Sequence, residues 1–345
     1  PFNRFVLKAD VASSESTNNT GLTSFYSDSC PYRTPEQVEN PKVRQGIEGI
    51  PIVVFWYNPA TETTQFMGKY NFNLPKRAPE PLGFSGNMES WEWERNNSAN
   101  VKFQDDDFTS QSWDELNQEY YPTWYDDFEA RFPSDEWRDY SKLKEFISWV
   151  KSTWRDAATG DDLPESVTYR LNSTITVNDY ASDASFTVED EIADGVSTGY
   201  KIFTFTKDTP AYRLTKFKAE CPDYVEMDSA IYYYLFTEMF LMIDSRAKNM
   251  FPSFNGGPVT QPGRAMDRKV VFMPYDMDTA IGTNNSGVLM FGYYLEDTDH
   301  VSSVISGDEN GGSEAPVFNA QDSVFWTNLR DSFRSEITLM YRNLR

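Results

Sequence analysis

Val270-Val271-Phe272-Met273-Pro274-Tyr275-Asp276-Met277-Asp278-Thr279-Ala280-Ile281-Gly282 is a short apolar run that ends by releasing two acids. Its branched and aromatic start reads as a buried strand over Lys269–Pro274. A strand that expels carboxylates at its end presents them to a cation in a cleft. Upstream, Met227, Ile231, Leu235, Met239 and Met242 recur at three or four residues and predict a helix over Met227–Ile243. Tyr232 to Tyr234 make that helix apolar almost all round, so it is central and buried. It delivers Asp244-Ser245-Arg246-Ala247-Lys248-Asn249, and Asp276 follows Asn249 by 27 residues. The order is therefore central helix, Asp-x4-Asn loop, strand, acid.

Working outward, Phe5-Val6-Leu7-Lys8 reads as a strand, and Ser13, Ser14 and Glu15 as a helix start with an early acid favoured by the helix dipole. Ile50 to Tyr57 is a nearly continuous apolar strand of the kind buried on both faces. The turn Asn58–Thr63 and a strand over Gln65–Leu74 complete a β-hairpin. Trp137–Trp154 and Thr209–Glu220 have helical spacing, the latter with Pro210 in its first turn. Between them, Asp161–Gly199 is polar and reads as a β-rich insertion ahead of a strand at Lys201–Thr206. Asn319–Leu344 closes the chain as one or two helices. The first residue is Pro1 and its strand begins abruptly, so a piece of a longer polypeptide is expected.

The chain has 345 residues, 39% hydrophobic and 16% aromatic, which is a folded composition with room for a substantial core. Its 53 acids against 31 Lys and Arg give a formal charge of −22. That argues against a nucleic-acid partner, whose phosphates demand clustered cations, and suits cation binding or basic neighbours. No apolar run approaches the ~20 residues of a membrane span. A single histidine, His300, leaves little room for a Ser-His-Asp triad or a His-rich zinc site. Cys30 and Cys221 stand far apart, and two free thiols are expected over one disulfide.

The same order of helix, Asp-x4-Asn loop, strand and Asp is used by protein kinases, with a loop Asp as base and an Asn and an Asp on Mg²⁺. Met273-Pro274-Tyr275-Asp276-Met277-Asp278 with Gly282, preceded by Asp244 and Asn249, resembles the CotH (spore coat protein H) family of atypical kinases. Gly68-Lys69-Tyr70-Asn71-Phe72 is similar to that family's Gly-x-Tyr segment. The resemblance runs loosely over Phe2–Gly282 and is specific at the two acidic motifs. It implies an α+β, kinase-like two-lobed fold. Residues 1–85 would be a small β lobe incomplete at the N-terminus, and 86–345 a mainly helical large lobe with the insertion near 161–199.

It also implies ATP with Mg²⁺ or Mn²⁺, and transfer of the γ-phosphoryl group to a Ser or Thr hydroxyl. Asp244 would orient or deprotonate the acceptor, and Asn249, Asp276 and Asp278 would hold the metal. Lys8 would steady the phosphates with Glu15 as its helical partner. The pattern departs from kinases in having Met242-Ile243 before the loop Asp, Asp276-Met277-Asp278 in place of Asp-Phe-Gly, and no glycine-rich loop before Lys8. Lys8-Ala9-Asp10, Arg246-Ala247-Lys248-Asn249 and Phe318-Asn319-Ala320-Gln321-Asp322-Ser323 resemble large phage structural proteins, including tail and virion components. That likeness implies partners among other virion subunits and a place in a phage particle assembled in host cytoplasm; a cytoplasmic or spore-coat-like assembly is the alternative.

Plainer readings stand beside these. Asp276 and Asp278 also fit a capped turn or a structural ion site, and Asp244 with Asn249 fits a helix C-terminus. Arg246 and Lys248 fit ion-pair partners of those acids, and Lys8 a solvent-facing lysine at a strand end. The whole chain also fits an inactive kinase-fold building block, or a Ca²⁺-dependent adhesion module.

Overall fold

The computed structural model describes residues 5–9, 18–76, 82–84, 88–93, 111–114, 119–122, 128–134, 137, 139–172, 185–242, 245–246, 249–254, 269–281 and 323–345. Glu15, Asp244, Lys248, His300 and the acidic stretch Asp105–Asp107 lie outside them. The described chain is α+β, with antiparallel sheets and helices interleaved.

Near the N-terminus, β1 (Val6–Lys8), β2 (Gly49–Asn58) and β3 (Thr63–Asn73) form a sheet in the order β1-β3-β2. Lys8 lies opposite Asn71 in β3. The hairpin appears where its turn residues predict it, but burial of β2 on both faces does not. Phe55 is 59% exposed, Trp56 64% and Phe66 61%. A three-stranded sheet with a long protruding hairpin offers no second layer to its far end, so the apolar run faces outward there. Only the proximal end of β3 is closed over, with Asn71 and Asn73 buried. Between β1 and the hairpin lie α1 (Asn18–Ser29) and α2 (Pro35–Glu39). Thr34 and Gln37 cap α2 reciprocally, each side chain taking the other's backbone N–H.

The main core is built on a four-stranded antiparallel sheet, order β12-β11-β4-β7, from β4 (Glu89–Trp93), β7 (Phe128–Phe132), β11 (Met250–Phe254) and β12 (Val270–Pro274). A separate hairpin joins β5 (Gln111–Asp114) to β6 (Glu119–Pro122). Against the core sheet pack α3 (Ser141–Ser152), α4 (Pro210–Tyr224), α5 (Met227–Met239) and α6 (Val324–Ser332), and α7 (Arg334–Leu344) closes the chain. The span 86–345, expected to be mainly helical, thus carries three sheets among the described residues, counting the arm below, beside its helices. Rings dominate the core: Trp91 stacks on Tyr140 at 4.6 Å, and Trp149 on Tyr224 at 4.5 Å. Cys30 and Cys221 are buried free thiols, and burial pushes Cys30 up to about 12.

The central helix stops at Met239, short of Ile243. Leu241 turns left-handed (φ 49°), its N–H donates to Glu238 O at 3.2 Å, and Met242 N–H donates to Thr237 O at 3.0 Å. That pair of bonds is a Schellman stop built on Leu where Gly is usual, so the sequence carries no visible stop signal.

The polar segment ahead of α4 forms a three-stranded arm, order β8-β10-β9, from β8 (Asp162–Asn172), β9 (Phe186–Ala193) and β10 (Val196–Lys207). Phe205 buries its ring against Tyr212 of α4 at the arm's base. There Arg213 grips both oxygens of Asp208 at 2.7 and 2.6 Å. Arg213, ahead of the opposing effect of burial, holds the Asp208 carboxyl below its usual range. A depressed carboxylate contributes stability above its unfolded-state pKa and loses it as pH falls through the folded value. Acid below the ordinary carboxylate range should therefore loosen the arm's base, read as faster backbone hydrogen exchange around residues 159–162 and 208. Asp208→Asn should exchange fast already at neutral pH and change little on acidification. Equal acid sensitivity in both proteins would contradict this anchor.

Candidate functional site

The site forms where β12 ends. All five residues of β12 are buried, and the strand pairs antiparallel with β11, which begins directly after Asn249. The end of the loop at Asn249 and the acidic turn are therefore delivered side by side by one antiparallel strand pair. Asn249 latches them together: its backbone O accepts from Tyr275 N–H at 3.2 Å and its Nδ2 donates to Asp276 O at 3.3 Å.

Asp276 sits in the left-handed region (φ 52°), as do Leu241 before the loop and Ile281 after the turn (φ 56°). Ile281 N–H donates to Phe240 O at 2.6 Å, tying the turn to the end of α5. For a branched residue such as Ile a positive φ is a costly conformation, and outliers of this kind gather at functional sites.

From the small sheet, Lys8 reaches across 268 residues of sequence to make an ion pair with Asp276 Oδ1. Both side chains are about one-quarter exposed. Burial pulls the Lys8 pKa down, but Asp276 first, then Tyr275 and Asp278, outweigh it and leave it raised. Lys8 is therefore firmly cationic at neutral pH. It also lies 5.6 Å from the Tyr275 ring, and Lys76 lies 4.5 Å from the same ring while pairing with Glu92 at 2.6 Å. From α1, Asn19 Nδ2 donates to Asp276 Oδ1 at 3.3 Å, and Asn19 Oδ1 accepts from Met277 N–H at 3.1 Å.

No family model and no curated protein matches this chain.

Of the residues expected to act together, Lys8, Asn249 and Asp276 are brought into one cluster, and Asp278 is close enough to add to the field on Lys8. Glu15 and Asp244 lie outside the described residues. Arg246 is engaged with α5. It is 1% exposed, ion-paired with Glu238 of α5, 3.2 Å from Thr237 Oγ1 and 4.5 Å from the Tyr234 ring. Its role is to fasten the loop to the helix. Tyr233 fastens the same loop, donating from its hydroxyl to Ser245 O at 2.5 Å. The tyrosine run is core, as its apolar setting predicts, with the Tyr233 hydroxyl spent on the loop and the Tyr232 hydroxyl on Ser29 of α1.

Two carboxylates and an Asn amide make a hard-oxygen set. Among the described residues no group of three or more His, Cys, Asp and Glu could enclose a metal. Such a sparse set fits Mg²⁺, which keeps waters and shares its shell with substrate phosphates, better than Ca²⁺ with its six to eight oxygens. Among the described residues no helix is long and apolar enough to cross a membrane.

Proposed function

We propose that the place where Lys8 of the small sheet meets the turn after β12 binds ATP with Mg²⁺ or Mn²⁺ in the manner of a CotH-like kinase. The observation that carries this reading is the meeting of Lys8 with Asp276, two residues with no local reason to be paired. Further support comes from the small sheet, where the Lys strand lies beside the second strand of the hairpin. The placement of β11 and β12 between Asn249 and Asp276 fits the same order.

A divalent cation there would neutralise phosphate charge and hold the γ-phosphoryl group for transfer. The chain's own part is positional and electrostatic. Lys8 presents a fixed ammonium to phosphate oxygens, Asp276 and Asp278 present carboxylates, and Asn249 holds the turn that carries them. Asp244 is proposed to orient the acceptor Ser or Thr hydroxyl and to take its proton.

One observation favours a second reading, a kinase-fold building block of a virion without transfer activity. Phe55, Trp56, Tyr57 and Phe66 leave apolar rings exposed towards the far end of the hairpin, as surfaces that meet other subunits do. Labelled γ-phosphate from ATP separates the two. An active protein should label Ser or Thr, in itself or in an added acceptor protein, and Asp276→Ala and Asp244→Asn should each abolish labelling. Nucleotide binding with no label above the variants would leave the building-block reading.

A further inference from the structure

Sequence reasoning looks to Glu15 as the helical residue that completes the site. The geometry points to another: we infer that Asn19 is a positioning residue that couples α1 to the cation-binding turn. The inference rests on the proposed reading of Asp276 as a metal ligand.

Asn19 is 4% exposed and lies in the first turn of α1. A buried amide needs partners on both its oxygen and its nitrogen, and Asn19 finds both on consecutive residues of one turn. Its Nδ2 donates to the Asp276 carboxylate at 3.3 Å, and its Oδ1 accepts from Met277 N–H at 3.1 Å. These contacts span 257 and 258 residues of sequence. The first aims the carboxylate and the second holds the left-handed turn that presents it.

Asn249 grips the same turn from the opposite side through Asp276 O. Asp276 is thus clasped by two asparagines, one on α1 and one on the loop after α5. About two helical turns further along α1, Tyr26 donates its hydroxyl to Phe272 O at 3.1 Å. The helix therefore tracks the end of β12 and the acidic turn together. On its outer side Phe25, 49% exposed, meets the rings of Phe236 and Phe240 at 6.1 and 5.8 Å. A movement of α1 would pass through Asn19 directly to the cation ligand.

Residues that orient a metal ligand without touching the metal typically change affinity by about 10- to 100-fold when removed. The test is a Mn²⁺ titration of the full chain, without nucleotide, for the parent, Asn19→Ala, Asn19→Leu and Thr23→Val. Leu keeps the buried volume of Asn without its amide. Thr23 is a buried residue one turn along the same helix whose Oγ1 has no hydrogen-bond partner among the described residues, so its replacement controls for a mere change in α1. Hydrogen exchange at residues 275–279 is followed in the same proteins without metal.

Both Asn19 variants should bind Mn²⁺ about tenfold more weakly and exchange faster at Met277, while Thr23→Val does neither. Unchanged affinity and unchanged exchange in the Asn19 variants would overturn the inference, as would an equal loss in Thr23→Val. If the parent binds no Mn²⁺, the metal reading of Asp276 falls. Exchange at Met277 then decides the coupling alone, faster exchange upholding it and unchanged exchange overturning it.

Discussion

Arg246→Met is expected to destabilise the protein by about 3–5 kcal/mol, the cost of breaking a buried ion pair by removing one partner. Arg246 and Glu238 are 1% and 9% exposed, and the Glu238 carboxylate makes no aligned hydrogen bond among the described residues, so the guanidinium is its principal compensation. Without it a carboxylate is left in the core with its charge uncompensated. Against a total stability of roughly 5–15 kcal/mol the loss is large. Urea unfolding of the single variant and of Arg246→Met with Glu238→Leu distinguishes pairing from packing. The double variant should recover most of the loss, because two apolar side chains replace two charges. A single variant within about 1 kcal/mol of the parent would show that the pair contributes little. The loss has a functional side, since Arg246 lies three residues before Asn249, whose latch holds the acidic turn.

Phe272→Ala should cost about 3–5 kcal/mol, as removal of a fully buried ring does. Phe272 is 0% exposed and its ring lies 4.8 Å from Trp326, 5.3 Å from Phe325 and 5.9 Å from Tyr233. No collapse of these large neighbours can fill the space without moving α5 or α6. Its backbone is also a junction, accepting from Tyr26 and taking Ser229 Oγ at 3.3 Å as acceptor for its N–H. The variant should therefore lower the denaturation midpoint and weaken cation binding at Asp276 together. A stable variant with normal binding would mean that the turn does not depend on the strand that delivers it.

The parts of the fold that local chemistry specifies were legible in the sequence. Thr209 and Pro210 mark the start of α4, the Asn58–Thr63 turn marks the hairpin, and the acids after β12 mark the turn that meets Lys8. What escaped was non-local. The pairing of β11 with β4, and of β4 with β7, depends on residues that carry no mutual signal in one dimension. β11 itself is five residues long with Pro252 at its centre, a poor strand on its face. Asn19 stands in a polar run, Asn18-Asn19-Thr20, where nothing singles it out until Asp276 arrives from the far end of the chain. Leu241 in a conformation usual for Gly hid the end of α5. The run Ile50–Tyr57 read as doubly buried because hydrophobicity predicts a strand but not how many layers will cover it.

Asp276, drawn to Lys8, is proposed to belong to a nucleotide site. Thermal unfolding of the full chain with Mg²⁺ and ATP, beside Asp276→Ala, tests it most directly. A ligand present at 100 times its dissociation constant stabilises by about 2.7 kcal/mol, enough to raise the midpoint by some degrees. That rise is expected in the parent, dependent on Mg²⁺, and should be lost in Asp276→Ala. The same midpoint with and without Mg²⁺ and ATP in the parent would contradict it.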